Sequence, residues 1–252
     1  VAVEMAWDAM GWTATVAQPH AAPTLPPSAP DPGEIEAAAR LLAAAERPMI
    51  MTGSGAQHAS KSVRELAEAL GAPVSAFRGG RGVVAEDHEL GISSYAAWKL
   101  WPETDALVGI GTRLEMPYMR WTGMMTVIDR PAPPPHLVRI DIDPAEMRRL
   151  VPHAPVVADA ETGTRALLEA IRRQGRRKPG TASAWRKRIA TARAEACAEY
   201  RKVQPQIAYL DVVREVLPRD GFFVGELSQV GFASYFAYPV YEPRTYVSEG
   251  YQ

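Results

Sequence analysis

Three glycine-containing turns and one acidic strand end carry the residues of this chain whose types and spacing could do chemistry. Gly53-Ser54-Gly55-Ala56-Gln57-His58 lies between an apolar run, Pro48 to Thr52, and a helical pattern, the place where backbone N–H groups and a helix dipole meet a diphosphate. Gly53 and Gly55 supply two glycines of a dinucleotide-binding turn, and the third is missing. The next apolar run leads into Arg78, with no carboxylate at its end to hold a ribose. A plain tight turn and a nucleotide cradle therefore both stay open. Gly109-Ile110-Gly111-Thr112-Arg113 repeats the arrangement, with Gly111 as the turn and Arg113 able to reach a phosphate or to pair with a surface acid.

In Arg139-Ile140-Asp141-Ile142-Asp143-Pro144, alternation puts the two isoleucines on one face of a strand and Asp141 and Asp143 on the other. Asp143 before Pro144 is a natural helix cap, which is favoured over ribose binding. Two carboxylates two residues apart on one strand fix no substrate between them, so they form no glycosidase dyad. Gly225-Glu226-Leu227-Ser228-Gln229-Val230-Gly231 departs from the G-x-S-x-G spacing, and no histidine follows it, which argues against a serine hydrolase. Ser228 and Gln229 do sit between a strand and a helix. They could donate to a phosphate at the helix start, or Ser228 could cap the helix. No residue reads as catalytic, and no metal set emerges, because the five histidines lie far apart in sequence. Cys197, the single cysteine, has no disulfide partner in the chain and reads as inert.

The elements that must hold these turns repeat a short apolar strand, a turn and an amphipathic helix. Asp31 caps a helix with Pro32 at its first position and Ile35, Ala38, Ala39 and Leu42 on one face. Strands follow at Pro48 to Thr52, Pro73 to Phe77, Ala106 to Ile110 and Leu137 to Ile142, with an extended piece at Val156 to Ala158. Helices fall at Lys61 to Leu70, terminated by Gly71, at Ser94 to Leu100, from Pro144, and at Thr162 to Arg173. Arg78 to Gly82 reads as a mobile loop. Such alternation predicts an α/β fold with a parallel, doubly wound, Rossmann-like sheet. The beginning of a second α/β domain follows, with helices from Ala184 to about Val203 and from Gln206 to Leu217. A strand at Phe222 to Gly225, a helix near Val230 to Phe236 and a strand at Thr245 to Ser248 complete it.

The expected organisation is residues 1–12 as the last strand of a preceding domain, 13–32 as a proline-rich linker, 33–173 as a nucleotide-fold domain, 174–183 as a second linker and 184–252 as the opening of another domain. Both ends read as cut through structure. With 28 basic and 29 acidic side chains the net charge is −1, so no long-range field draws nucleic acid or an anionic membrane. No apolar run reaches the roughly 20 residues of a membrane span. The chain is expected to be cytoplasmic and to meet small molecules or protein partners.

Taken in order, several segments resemble one family. Val3 to Asp8 looks like the last strand of the pyrimidine-binding domain of thiamine-diphosphate-dependent 2-oxo acid decarboxylases and carboligases, the acetolactate synthase and benzoylformate decarboxylase type. Arg47 to Ala56, Leu70 to Val74, Gly80 to His88, Thr104 to Arg113 and Arg139 to Pro144 match its middle domain in sequence order. Leu217 to Gln229 resembles the first strand and loop of its diphosphate-binding domain.

The resemblance implies that Ser228 and Gln229 face the diphosphate of thiamine diphosphate. It also implies that a 2-oxo acid loses carbon dioxide on that cofactor, the enamine then being protonated or joined to a second carbonyl compound. The activating glutamate and the Gly-Asp-Gly motif that binds Mg2+ are not in this chain. The fragment alone is therefore expected to be inactive, and its parent to be a homodimer or homotetramer. Acetolactate synthases often hold FAD in the middle domain, with Arg-Phe-Asp-Asp after the third strand. Here Leu114-Glu115-Met116 follows Arg113, which argues against FAD. The rival expectations are a stand-alone module binding FAD, NAD or ADP, and a non-catalytic regulatory homologue.

Overall fold

A computed structural model describes residues 4–15, 17–18, 29–121, 132–175 and 179–248. Asp31 accepts hydrogen bonds from the Gly33 and Glu34 N–H groups at 2.7 and 3.1 Å and so starts α1 (Pro32–Ala44). The face carrying Ile35, Ala38, Ala39 and Leu42 is buried. The strands are β1 (Pro48–Thr52), β2 (Val74–Ser75), β3 (Gly91–Ile92), β4 (Ala106–Ile110), β5 (His136–Asp141) and β6 (Ala154–Val157). They form one sheet in the order β3-β2-β1-β4-β5-β6, every neighbouring pair parallel.

Between and after them run α2 (Ser60–Leu70), α3 (Ser94–Leu100), α4 (Pro144–Arg149) and α5 (Ala160–Gln174). All five residues of β1 and of β4 are buried, which requires cover on both faces of the sheet and accounts for their continuous apolar runs. One helical layer is α1, α5 and α2. The other pairs α3 with α6 (Pro179–Tyr200).

A second, smaller unit is built from α7 (Gln206–Val216), β7 (Phe223–Val224), α8 (Gln229–Ala237) and β8 (Tyr246–Val247). The two strands are parallel, with α8 as the crossover between them. Its core gathers Ile207, Leu210, Tyr235, Tyr238, Val240 and Tyr246, and Phe77 of the first unit packs against it. The parallel doubly wound sheet followed by the opening of a second α/β unit is thus present as the sequence leads one to expect.

Several local expectations are corrected. Glu4 to Ala6 form no strand and Asp8–Gly11 is a 3-10 turn; a strand draws its ladder from a neighbour, and none lies beside these described residues. Most of the proline-rich stretch lies outside the described residues. A strand was missed: β3 is two residues long and follows a stretch without periodicity, and it makes Ala106–Ile110 fourth in order.

Arg78 to Gly82 is anchored, with Arg81 only 2% exposed. The second linker is shorter than the expected 174–183, since Gly175 (φ 72) closes α5 and α6 opens at Pro179, a residue suited to a first helical turn. Helix α6 also sends Trp185, Ile189, Ala192 and Ala196 into the core of the first unit, on the side of α3. Finally, β5 ends at Asp141, so Ile142 does not share the buried face of Ile140 and stands 69% exposed.

Candidate functional site

The strand order reverses between β1 and β4, and the turns that leave their carboxyl ends are the two glycine segments picked out in the sequence. A crevice opens at such a point because successive crossovers there depart to opposite sides. Gly53 and Gly55 meet Gly111 across it. The Gly55 N–H donates to the Gly111 carbonyl at 3.1 Å, and the Gly53 N–H donates to that of Ile110 at 3.1 Å. A methyl on Gly53 would lie 2.2 Å from the Gly111 oxygen, and one on Gly111 (φ +54) would lie 2.5 Å from the Gly55 carbonyl carbon. The glycines are therefore required by the mutual approach of two backbones, whatever ligand the crevice takes.

A cavity of about 240 Å³ adjoins these turns, with Thr52, Ser54, Arg78, Ser94 and Thr112 among its polar walls. Helix α2 begins only at Ser60, beyond a 3-10 turn at Ser54–Ala56. The start of α2, one residue before the expected Lys61, thus lies about one turn beyond the glycine turn. Gln57 instead spans outward: its side-chain amide donates to the Gly79 carbonyl, and its Oε1 accepts from the Arg244 N–H at 2.7 Å.

Arg113 lies at the rim with its side chain 64% exposed, paired with Glu115 at 3.3 Å and Glu146 at 3.6 Å. Of the two roles left open for it, this structure displays the ion pair. The cation that organises this end of the sheet is Arg139, fully buried, which donates to the Thr112 carbonyl at 2.9 Å and to Glu146 Oε2 at 3.0 Å. It also donates to the Glu146 carbonyl, so it ties the turn after β4 to α4. Hydrogen bonds from Arg149, and then from Arg139, outweigh desolvation and hold the Glu146 carboxyl down at about 2.

Asp141, at the end of β5, accepts from the Asp143 N–H at 3.1 Å, and burial raises its pKa. Asp143 caps α4 through the Ala145 N–H at 2.8 Å. Neither aspartate lines the crevice cavity.

Ser228 and Gln229 belong to the second unit. Ser228 accepts from the Gly231 N–H at 3.1 Å and so caps α8, while Gln229 Oε1 accepts from Gln206 Nε2 at 2.5 Å. Both are exposed. The N–H groups of Gln229 and Val230 begin the helix and have no intrahelical acceptor, and the Ser228 hydroxyl keeps its proton free to donate. An anionic oxygen approaching along the axis of α8 would meet these donors at the positive end of the helix. The residues present therefore fit the near side of a diphosphate site. Among the described residues no cluster of three or more histidine, cysteine or acidic side chains is placed to hold a metal.

Sequence reasoning missed the residues that join the two units. Arg81 forms a bidentate pair with Glu86, at 2.8 Å to each oxygen, and donates to the Ser234 carbonyl at 2.8 Å and to that of Tyr238. Its guanidinium carbon lies 4.4 Å from the centre of the Tyr246 ring. An arginine between two glycines in an apparent loop carries no signal of such a role.

The eight candidate residues thus fall into a scaffold set around the sheet and a separate pair at the start of α8. This division separates a parallel, doubly wound, nucleotide-type unit from the opening of a second α/β unit. Residues 35–169 match the family model described as the thiamine pyrophosphate enzyme central domain, and the chain belongs to that family. It is 30% identical over 219 residues to the probable 2-ketoarginine decarboxylase AruI of Pseudomonas aeruginosa, covering 84% of this chain and 37% of that protein.

It is 36% identical over 149 residues to a probable acetolactate synthase large subunit of Methanocaldococcus jannaschii, covering 56% of this chain and 24% of that one. The chain thus spans well under half the length of these relatives. In fold it resembles the crystal structure of benzoylformate decarboxylase from Polynucleobacter necessarius, with a TM-score of 0.64, 21% identity, and coverage of 94% of this chain and 44% of the other.

Proposed function

We propose that this chain is the central scaffold and the opening of the diphosphate-binding domain of a thiamine-diphosphate enzyme that decarboxylates a 2-oxo acid and then protonates the product or joins it to a second carbonyl compound. The observation that carries the reading is the sequence β7, turn, capped α8, joined to a central domain of this family, with Ser228 and Gln229 at the helix start. Bound thiamine diphosphate supplies a carbon nucleophile and an electron sink. Ser228 and Gln229 bind and orient its diphosphate, together with the N–H groups of the first turn. Mg2+, the activating carboxylate and most of the substrate pocket belong to parts of the parent protein that this chain does not carry.

On this reading the central domain runs over residues 33–173 with α6 packed on it, and the diphosphate-binding domain opens after α6. The parent is a cytoplasmic homodimer or homotetramer. No helix among the described residues is long and apolar enough to cross a membrane.

The test is to assay the parent protein with thiamine diphosphate and Mg2+ on pyruvate, benzoylformate and 2-ketoarginine, beside the 252-residue chain. Release of carbon dioxide by the parent and silence from the chain are expected. A parent that neither binds the cofactor nor turns over any 2-oxo acid would remove the reading.

One observation favours a second role for the crevice. Ser94, a lining residue of the cavity, has a buried Oγ with no hydrogen-bond partner among the described residues, a polar atom that a nucleotide-like ligand would reach by displacing its cover. Titration of the chain with FAD, NAD and ADP separates the cases. Absence of binding is expected of a scaffold, and tight binding would make the chain a nucleotide module.

A further inference from the structure

We propose that Arg81, carried by the loop after β2, is a positioning residue for the cofactor end of α8, so that the central domain sets the geometry of Ser228 and Gln229 from the opposite end of their helix. The inference rests on the functional reading above. Its structural basis is a guanidinium 2% exposed whose donors reach the Ser234 and Tyr238 carbonyls, one in the last turn of α8 and one at its C-cap. The carboxyl end of a helix is its negative pole, so a buried cation there is stabilised by the backbone as well as by Glu86.

The same loop grips α8 along its side. Phe77 packs on Tyr235 with ring centres 5.0 Å apart, and the Arg78 guanidinium lies 5.0 Å from the Tyr235 ring. Glu86 pairs with Val240 just past the helix, its N–H donating to the Val240 carbonyl at 2.9 Å and its Oε2 accepting from the Val240 N–H at 3.3 Å. Ser234 in turn shares a 2.7 Å hydrogen bond with the hydroxyl of Tyr246, the ring beside Arg81.

At about 1.5 Å per residue, the start of α8 lies roughly 12 Å along the axis from this grip. A rigid helix held at one end transmits a tilt to the other. A helix released by the loop would swing Ser228 and Gln229 off the position a diphosphate needs, and a misplacement of about 1 Å is enough to weaken such contacts strongly.

The experiment compares wild type, Arg81→Met, Arg81→Lys and Glu86→Gln in two arms. In the parent protein, the dissociation constant of thiamine diphosphate is measured by calorimetry in the presence of Mg2+, alongside kcat and the KM of the 2-oxo acid. In the 252-residue chain, amide hydrogen exchange is followed peptide by peptide.

Expected are a tenfold or greater weakening of cofactor binding by Arg81→Met with the substrate KM within twofold, partial recovery by Arg81→Lys, and faster exchange confined to residues 229–237. Unchanged cofactor binding in a folded Arg81→Met protein would overturn the proposal. So would exchange that accelerates equally through β1 and β4, the mark of a merely structural residue. Should Arg81→Met fail to fold, Glu86→Gln decides, with faster exchange in α8 supporting the proposal and unchanged exchange overturning it. Failure of the wild-type parent to bind thiamine diphosphate would fall on the functional reading, since the exchange arm needs no cofactor.

Discussion

A residue's surroundings decided which of its two possible meanings it took. Gly53, Gly55 and Gly111 were legible as turn residues, but the partner each turn would face was not, because close approach of segments 58 residues apart leaves no local trace. Gly53→Ala is expected to cost about 1 to 3 kcal/mol, the scale of overpacking against backbone that cannot yield. A fall in the urea midpoint at unchanged slope checks this, and an unchanged midpoint would refute it. Arg139 was read as part of a strand and proved to be the buried anchor of Glu146.

Because the folded pKa of Glu146 is about 2, below its ordinary 4.5, its ion pairs stabilise the fold fully above pH 4.5 and lose their effect as the pH falls toward 2. Asp141, whose pKa burial raises, works with the opposite sign and is relieved by acid. Thermal midpoints of Glu146→Gln and wild type should accordingly stand furthest apart above pH 4.5 and converge toward pH 2. A gap independent of pH would contradict the assignment.

Helices were read from sequence more faithfully than strands, because caps and termination are local chemistry while pairing is not. Asp31, Asp143 and Gly71 act where the sequence places them, and Asp159 caps α5 in the same manner, accepting from the Glu161 and Thr162 N–H groups. Strands as short as β2, β3 and β7 exist only through their neighbours, and β3 had no periodicity to betray it. Pro179 and Gly180 fall inside the expected linker 174–183 and open α6 instead, since proline suits both a linker and a first helical turn.

The cap at Ser228 can be tested by itself. Ser228→Ala should cost about 1 kcal/mol by loss of the bond to the Gly231 N–H. Circular dichroism of the denaturation curve measures the first effect, and calorimetry with thiamine diphosphate on the parent measures the weaker binding that the proposed role adds. A variant of native stability and native cofactor affinity would deny both.

At the scale of the whole molecule, the doubly wound class was visible in the rhythm of strand and helix, whereas the division of labour between its cores was not. Helix α6 was expected to begin the second unit. Its Trp185 instead donates to the Pro48 carbonyl at 3.2 Å, and Arg188 pairs with Glu103 at 2.7 Å, both in the first unit. The second unit is fastened by further side chains, Arg219 to Asp87 at 2.7 Å among them. Within this unit Phe222, Val224, Phe232 and Val247 are exposed, Val224 and Val247 as paired neighbours on β7 and β8.

The fastening has a practical consequence for anyone who cuts the polypeptide. Since α6 lies across α3 and the loop after β2 reaches into the neighbouring core, severing the chain between Gln174 and Pro179 would break a covalent tether but few of the contacts that hold the halves together. A nicked preparation should elute as one species from a sizing column and come apart only when denaturant is added.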